Sequence, residues 1–150
     1  MAQSLSMIIV HIVFSTKDRF PCLGPSTRAD IHAYLAKVTR NAECEAYRVG
    51  GIADHVHLAV RLARTVAVAN LVEALKTSSS KSLKLKRPEL RRFEWQRGYG
   101  AFSVAPQELQ ALVDYIEDQE EHHRVKTFQE EYLSLLKEHR IQFDLRYLWD

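Results

Sequence analysis

Residues 55–62 read HVHLAVRL, and the side chains of this octapeptide alternate between two kinds. Successive residues of a β-strand point to opposite sides of a sheet, so the alternation predicts a strand with two different faces. One face carries Val56, Leu58, Val60 and Leu62. The other face carries His55, His57, Ala59 and Arg61. The first face suits packing under helices, whereas two histidines and an arginine on the second face indicate chemistry.

The segments around this strand alternate between strand-like and helix-like patterns. The predicted strands are 7–14, 45–49, 55–62 and 95–104, and the predicted helices are 25–41, 66–85, 106–123 and 128–139. A hairpin turn at 50–54, a basic loop at 86–92 and an extended tail at 143–149 complete the chain. The order βαββαβα plus a C-terminal helix predicts an α+β ferredoxin-like (RRM-like) sandwich. We expect one antiparallel sheet with helices on one face and an open second face.

Length and composition exclude several classes of protein. The chain has 150 residues, with 46% hydrophobic and 27% charged residues, 5 glycines and 4 prolines, which predicts one folded domain over residues 1–150 rather than a low-complexity chain. The longest apolar run, 7–14, is far shorter than the roughly 18 residues of a membrane helix, and no charged segment precedes it as in a signal peptide. We expect Cys22 and Cys44 to be free thiols in a reducing cytoplasm.

The charge is uneven along the chain although the net charge is only +2. Residues 60–103 carry ten Lys/Arg against three Asp/Glu, and residues 104–150 carry five against eleven. The basic segment 60–103 either binds the phosphates of a nucleic acid or is simply a solvated surface. The acidic segment 104–150 is either a solvated helical surface or a contact with the basic segment of a second subunit. The candidate DNA-binding residues are Lys76, Lys81, Lys84, Arg87, Arg91, Arg97 and Tyr99.

The two histidines of the strand are candidate metal ligands. His55 and His57 lie about 7 Å apart along one face, and neutral imidazoles bind divalent metals well. Such a pair also occurs by chance in many strands, so a third ligand is needed. Tyr115 and Gln119 lie one turn apart on one flank of the predicted helix 106–123, where they offer a nucleophile and an oxygen ligand. Asp54 either orients a histidine or ends a turn.

These motifs together resemble a known family. Residues 54–58 (DHVHL) and 115–119 (YIEDQ) are similar to the motifs of the IS200/IS605-type transposases, single-tyrosine members of the HUH (His-hydrophobic-His) nucleases. The resemblance extends over most of the chain. It includes the opening strand with Thr16-Lys17, Gly50-Gly51, residues 75–79 and residues 95–104. REP-associated tyrosine transposases, which process repeated extragenic palindromes, share the same motifs, so the resemblance covers mobile-element and domesticated enzymes alike.

The resemblance implies a function and a set of roles. His55, His57 and Gln119 would hold Mg²⁺ or Mn²⁺, and Tyr115 would attack a phosphodiester to form a 5′-phosphotyrosine and a free 3′-OH. The substrate would be single-stranded DNA with hairpin ends. The enzyme would be a cytoplasmic, nucleoid-associated homodimer, in which the tyrosine helix of one subunit serves the histidine pair of the other.

Three other functions remain open at this stage. Residues 97–100 (RGYG) match the start of an RNA-recognition motif, although the match fails beyond Gly100. A metal-dependent hydrolase with activated water would not need Tyr115, and a single-stranded nucleic-acid-binding relative would not be catalytic.

We interpret His11 as a satisfied sheet histidine. His122 and His123 are expected at the surface or in a dimer contact.

Overall fold

The computed structural model describes residues 2–150, which form a four-stranded antiparallel sheet with helices on both faces. The strands are β1 (Ile9–Ser15), β2 (Glu45–Ile52), β3 (His55–Arg61) and β4 (Gly100–Val104), in the spatial order β2-β3-β1-β4. The helices are α1 (Pro25–Asn41), α2 (Val68–Lys86), α3 (Leu109–Glu117), α4 (Gln119–His122) and α5 (Phe128–Glu138). This antiparallel α+β arrangement confirms the predicted ferredoxin-like class.

One face of the sheet packs under α1 and α2, as the alternation predicts. Val56, Leu58 and Val60 of β3 are fully buried there. Leu35 of α1 and Leu75 of α2 meet them in the main core. Burying a side chain of this kind contributes about 1.5–3 kcal/mol, so this core is a main source of stability.

The second face is covered, and the expectation that it would be open is wrong. Helix α5 carries Phe128, Tyr132 and Leu136 at helical spacing, and these side chains pack with Val13 and Phe102 of the sheet. An apolar stripe on a helix must find a partner surface, and α5 finds it on this side of the sheet. The histidines of β3 are therefore enclosed between the sheet and the C-terminal helices.

Helix α5 has a well-defined start. The Thr127 hydroxyl accepts a hydrogen bond from the backbone N–H of Glu130, and the Glu130 carboxylate accepts one from the N–H of Thr127. This reciprocal capping satisfies two N–H groups that the first turn leaves without helical partners. It begins the helix at Phe128, so that the residues one turn later face the sheet.

Three predicted elements have different bounds. The helix predicted over 106–123 is a 3₁₀ turn followed by α3 and α4, with a break at Asp118 (φ −89°, ψ 19°). The strand predicted over 95–104 pairs regularly only from Gly100, because Lys76 Nζ donates to the carbonyls of residues 96, 97 and 98. The predicted extended tail, 143–149, forms turns instead, in which the N–H of Tyr147 donates to the Asp144 carbonyl at 3.0 Å.

Two further expectations concern thiols and membranes. Cys22 and Cys44 are both free, and Cys44 is buried. Within residues 2–150, none of the helices combines the length and the apolar character that crossing a bilayer requires.

Candidate active site

Strand β3 presents His55 and His57 on the face opposite the main core, as the sequence predicts. Both side chains are fully buried, with ring centroids 5.0 Å apart. In the sheet register His55 lies opposite Ser15 of β1 and His57 lies opposite Gly50 of β2. The pair therefore lies on an inner strand of the sheet, with a neighbouring strand on each side.

Helix α3 lies close over this face because Gly50 has no side chain. A Cβ atom on Gly50 would come within 2.6 Å of Ile116 Cγ2 and 2.8 Å of the Ile116 carbonyl oxygen. Ile116 is buried against the sheet at this point. The close approach brings Tyr115 and Gln119, the two predicted site residues of this region, to the histidine pair.

Four side chains converge in the space between the sheet and the helices. His55, His57, His123 and Glu131 each direct one ligand-type atom into it, and these atoms all lie within 4.8 Å of one another. Glu131 Oε1 is 3.4 Å from His55 Nε2, 3.0 Å from His57 Nε2 and 3.1 Å from His123 Nε2. Gln119 Oε1 lies at the rim of the same cluster, 3.0 Å from His55 Nε2.

The outer nitrogens of the histidine pair have partners that orient the rings. Asp54 Oδ1 accepts a hydrogen bond from His55 Nδ1 at 2.7 Å, which is the contact that the predicted orienting role of Asp54 requires. His57 Nδ1 is hydrogen-bonded to His11 Nε2 at 2.7 Å, so His11 is a satisfied sheet histidine. Both Nε2 atoms consequently face the cluster.

The residues present fit a divalent cation. The cluster offers three imidazole nitrogens and a carboxylate oxygen, and the Gln119 carbonyl oxygen lies beside them. His55, His57 and Glu131 are buried, so a bound ion would be held away from bulk water. Imidazole is a softer ligand than water or carboxylate, so this set favours a transition ion such as Mn²⁺ over Mg²⁺.

Tyr115 lies at the edge of the same cluster. Its hydroxyl donates a hydrogen bond to Glu131 Oε2 and lies 3.4 Å from His122 Nε2. Its ring packs edge-on against His57 of the same chain, with centroids 5.8 Å apart. The phenol, the histidine pair and the carboxylate thus meet within one chain.

The two histidines of β3 have opposite pKa shifts. Burial lowers the pKa of His55, but hydrogen bonds to Asp54 and Glu131 outweigh burial and raise it to about 9. Burial dominates at His57 and lowers its pKa to about 4, against the opposing effect of Glu131. At neutral pH His55 therefore carries a proton that a metal ion would have to displace, whereas His57 is already neutral.

The pKa values of Glu131 and Tyr115 are shifted in opposite directions. These shifts keep the carboxylate charged and the phenol protonated. Burial raises the pKa of Glu131, but hydrogen bonds from His123, His55 and His57 hold it well below its ordinary value. Burial raises the pKa of Tyr115 further above its ordinary value, and the adjacent Glu131 charge raises it more. The protonated phenol is a weak nucleophile, and a positive charge near Glu131 is needed to make it more reactive.

Glu131 is not among the site residues predicted from the sequence, and the surface or dimer contact expected for His123 is wrong. The His123 side chain is 4% exposed and hydrogen-bonded to Gln119 and Glu131, not a surface contact. Glu131 lies between Phe128 and Tyr132 in the buried stripe of α5. A carboxylate inside an apolar stripe is the signal that could have found it, because such a charge needs a buried partner.

The candidate DNA-binding residues are only partly brought together. Lys76, Lys84 and Arg97 line a cavity of about 750 Å³, to which Lys17 also contributes. The Lys76 ammonium, however, is bound to the three backbone carbonyls of the 96–98 loop. Arg87 pairs with Asp30 of α1 at 2.8 Å. The remaining three, Lys81, Arg91 and Tyr99, are exposed outside this cavity.

We predict that His11 sets the metal affinity through His57. Replacing His11 with Leu removes the hydrogen bond that turns His57 Nε2 toward the cluster, so Mn²⁺ affinity measured by calorimetry should fall by on the order of 10–100-fold. His11→Gln keeps a polar partner and should recover part of the loss. Phe102→Leu is the matched control, because the Phe102 ring packs against the His11 ring, with centroids 5.9 Å apart, and makes no polar contact with it. Equal losses in the His11→Leu and Phe102→Leu variants would contradict the prediction.

The fold and the site define a protein with a ferredoxin-like sheet that carries a His-hydrophobic-His pair beside a tyrosine, Tyr115. The family model described as "Transposase IS200 like" matches residues 4–119. The chain therefore belongs to the IS200-like transposase family, and its role is DNA transposition. This finding confirms the resemblance seen in the sequence.

Two solved structures share the fold. One is a protein assigned as a transposase from Deinococcus radiodurans R1, with 21% identity, a TM-score of 0.62, and coverage of 79% of this chain and 98% of that chain. The other is a REP-associated tyrosine transposase bound to a REP hairpin, with 15% identity, a TM-score of 0.60, and coverage of 82% of this chain and 74% of that chain. No curated protein matches the chain.

Proposed function

We propose that this transposase cuts and rejoins single-stranded DNA by transesterification, with Tyr115 as the nucleophile. The observation that carries the proposal is that the Tyr115 hydroxyl, the His55–His57 pair and Gln119 converge on one buried carboxylate, Glu131. Incubation with hairpin-bearing single-stranded DNA and Mn²⁺ should trap a covalent protein–DNA adduct on a denaturing gel. Cleavage without an adduct would favour a hydrolase that uses activated water.

The reaction begins with attack of the Tyr115 oxygen on the scissile phosphorus. The new bond joins that oxygen to phosphorus, the bond from phosphorus to the 3′ oxygen breaks, and the strand leaves with a 3′-OH. Glu131 Oε2 accepts the phenol hydrogen bond and orients the hydroxyl. The proton that the phenol loses passes through water to the leaving 3′ oxygen. The 5′-phosphotyrosine retains the bond energy, so a 3′-OH can reverse the step without ATP.

The divalent ion would be held by His55, His57 and Gln119, with Glu131 and His123 as additional ligands. When bound, such an ion supplies positive charge that stabilises the negative charge building up on the phosphate oxygens. Asp54 and His11 keep the two imidazoles oriented for it. Mn²⁺ and Mg²⁺ are both candidates, and the three imidazoles support tighter binding of Mn²⁺.

We propose that the DNA ligand is a single strand with a hairpin and that its backbone crosses the 750 Å³ cavity lined by Lys17, Lys84 and Arg97. The similar structure bound to a REP hairpin supports this ligand class. Phosphates attract such clusters mainly through counterion release, which makes affinity strongly dependent on salt.

Hairpin binding should respond to the cavity residues in a charge-specific way. Arg97→Gln or Lys84→Gln should each reduce the slope of log affinity against log salt by about 0.7, the value per phosphate contact for single strands. Arg64→Gln is the control, because Arg64 is exposed and lies outside this cavity. Equal slopes for all three variants, measured by fluorescence anisotropy, would exclude this cavity as the DNA path.

A homodimer with exchanged tyrosines stays a prediction, and the geometry within one chain supports catalysis with the chain's own tyrosine. We expect that mixing inactive Tyr115→Phe with inactive His57→Ala protein restores no cleavage, because each chain then lacks one part of its own site. Restored cleavage in the mixture would instead establish the shared site that the resemblance implies. Light scattering on each sample reports whether dimers form.

A further inference from the structure

A second cavity opens at the β2 edge of the sheet, next to the site just described. It has a volume of about 310 Å³. Its walls include Arg28 and His32 of α1, Arg48, Gly50 and Gly51 of β2, and Gln119 of α4. The volume lies at the lower end of small-molecule pockets, roughly 300–1,000 Å³, which suits a ligand the size of one nucleotide.

His32 has an unsatisfied polar atom in this cavity wall. Its Nε2 atom is buried and has no hydrogen-bond partner among residues 2–150. Buried polar atoms of folded proteins nearly always have a partner, and those without one point to a missing ligand, ion or water. Burial, followed by the charges of Arg28 and Arg48, lowers the pKa of His32 to about 4. The ring is therefore neutral at pH 7 and offers one donor and one acceptor.

Two arginines flank this histidine and are incompletely paired. The Arg28 side chain is only 15% exposed, yet its ion-pair contact is a long 3.7 Å to Glu120. Arg48 pairs with Glu117 at 3.1 Å. Both glutamates are substantially exposed, so water already solvates them. Replacing them with a phosphate as the partner of the two arginines therefore costs little free energy. Guanidinium groups bind phosphate oxygens in a two-pronged geometry.

The cavity shares one residue, Gln119, with the candidate metal site. The Gln119 Oε1 atom lies 3.0 Å from His55 Nε2, and the same residue lines the cavity. The wall between them is the backbone of Gly50 and Gly51, which lie opposite His57 and Val56 in the sheet. A DNA strand whose phosphate reaches the histidine pair would have its neighbouring nucleotide at this wall.

We propose that this cavity binds the nucleotide next to the scissile phosphate, with Arg28 and Arg48 on a backbone phosphate and His32 Nε2 on the edge of the base. The inference rests on the proposed single-stranded DNA cleavage and adds a residue that selects the base. A neutral imidazole reads a base edge by hydrogen bonding, and an unpaired buried group discriminates against a base that leaves it unsatisfied.

The direct test is a titration of the metal-free protein with deoxynucleoside 5′-monophosphates, followed by NMR of the histidine rings and backbone amides. The His32 ring and the Gly50 and Gly51 amides should shift, and inorganic phosphate at equal concentration should shift the His32 ring much less. His32→Leu and Arg48→Gln should each weaken binding several-fold, whereas Arg40→Gln, an exposed arginine at the end of α1, should not. Shifts confined to His55, His57 and His123, or equal shifts with phosphate alone, would overturn the proposal.

A cleavage assay separates this inference from the proposed function. On DNA randomised on both sides of the cut, His32→Leu should lose base preference at one position and keep it elsewhere. Unchanged preference would overturn base reading by His32. The titration needs neither the metal nor Tyr115, so a missing covalent adduct together with a positive titration would overturn the Tyr115 mechanism and leave the nucleotide cavity. An adduct together with a negative titration would overturn the cavity alone.

Discussion

Tyr115→Phe protein is expected to form no covalent adduct and to release no 3′-OH while still binding metal and hairpin DNA. The substitution removes one oxygen and keeps the ring that packs against His57. No other group in the described cluster is a comparable nucleophile for a phosphotyrosine intermediate, so adduct formation should fall below detection. Gel assays with 5′- and 3′-labelled single-stranded DNA measure both products.

Tyr99→Phe is the matched control for this experiment. Tyr99 is 37% exposed and lies over the Lys76 ammonium, 5.8 Å from the ring centroid, outside the histidine cluster. We expect it to cleave, with weaker DNA binding if its ring stacks on a base. Continued cleavage by Tyr115→Phe would show that water or Tyr99 attacks the phosphate, and the metal-dependent hydrolase would replace the transposition mechanism proposed for Tyr115.

Removal of the Glu131 carboxylate is expected to have the next largest effect. Glu131→Ala deletes the group on which three imidazoles converge, so Mn²⁺ affinity should fall by at least the 10–100-fold typical of lost support around a metal. Calorimetry measures the affinity. In the wild-type protein it should rise as pH increases toward 9, because His55 must lose its proton before it binds a metal.

The control for Glu131→Ala is Glu138→Gln on the same helix. Glu138 is exposed and takes no part in the cluster, so its loss changes charge without changing ligands. Thermal unfolding of both variants separates a metal defect from a folding defect. If Glu131→Ala bound Mn²⁺ more tightly than wild type, the carboxylate would be an occupant of the metal position, and its role as a ligand would be rejected.

Local sequence patterns were sufficient to predict that the two histidines share one strand face and that Tyr115 and Gln119 lie close together. The period of two in β3 placed both histidines on one face, and the spacing of four placed Tyr115 and Gln119 on one flank, because backbone geometry alone determines these relations. The order of elements likewise predicted the antiparallel ferredoxin-like sheet. The family resemblance, rather than any periodicity, connected these two motifs to one reaction.

Long-range packing decided the rest of the site. Helix α5 folds over the face that was expected to be open, since its apolar stripe needs a partner, and it brings Glu131 to within 3.0 Å of His57. The same helix brings Glu131 to His123, which local spacing places one turn after Gln119.

The 74 positions that separate His57 from Glu131 carry no periodic signal that links the two residues. The sequence by itself determined which side chains share a strand face or a helix flank, since those relations follow from the repeat of one element. Only the tertiary structure decided which faces meet, because that choice depends on burying every apolar surface at once.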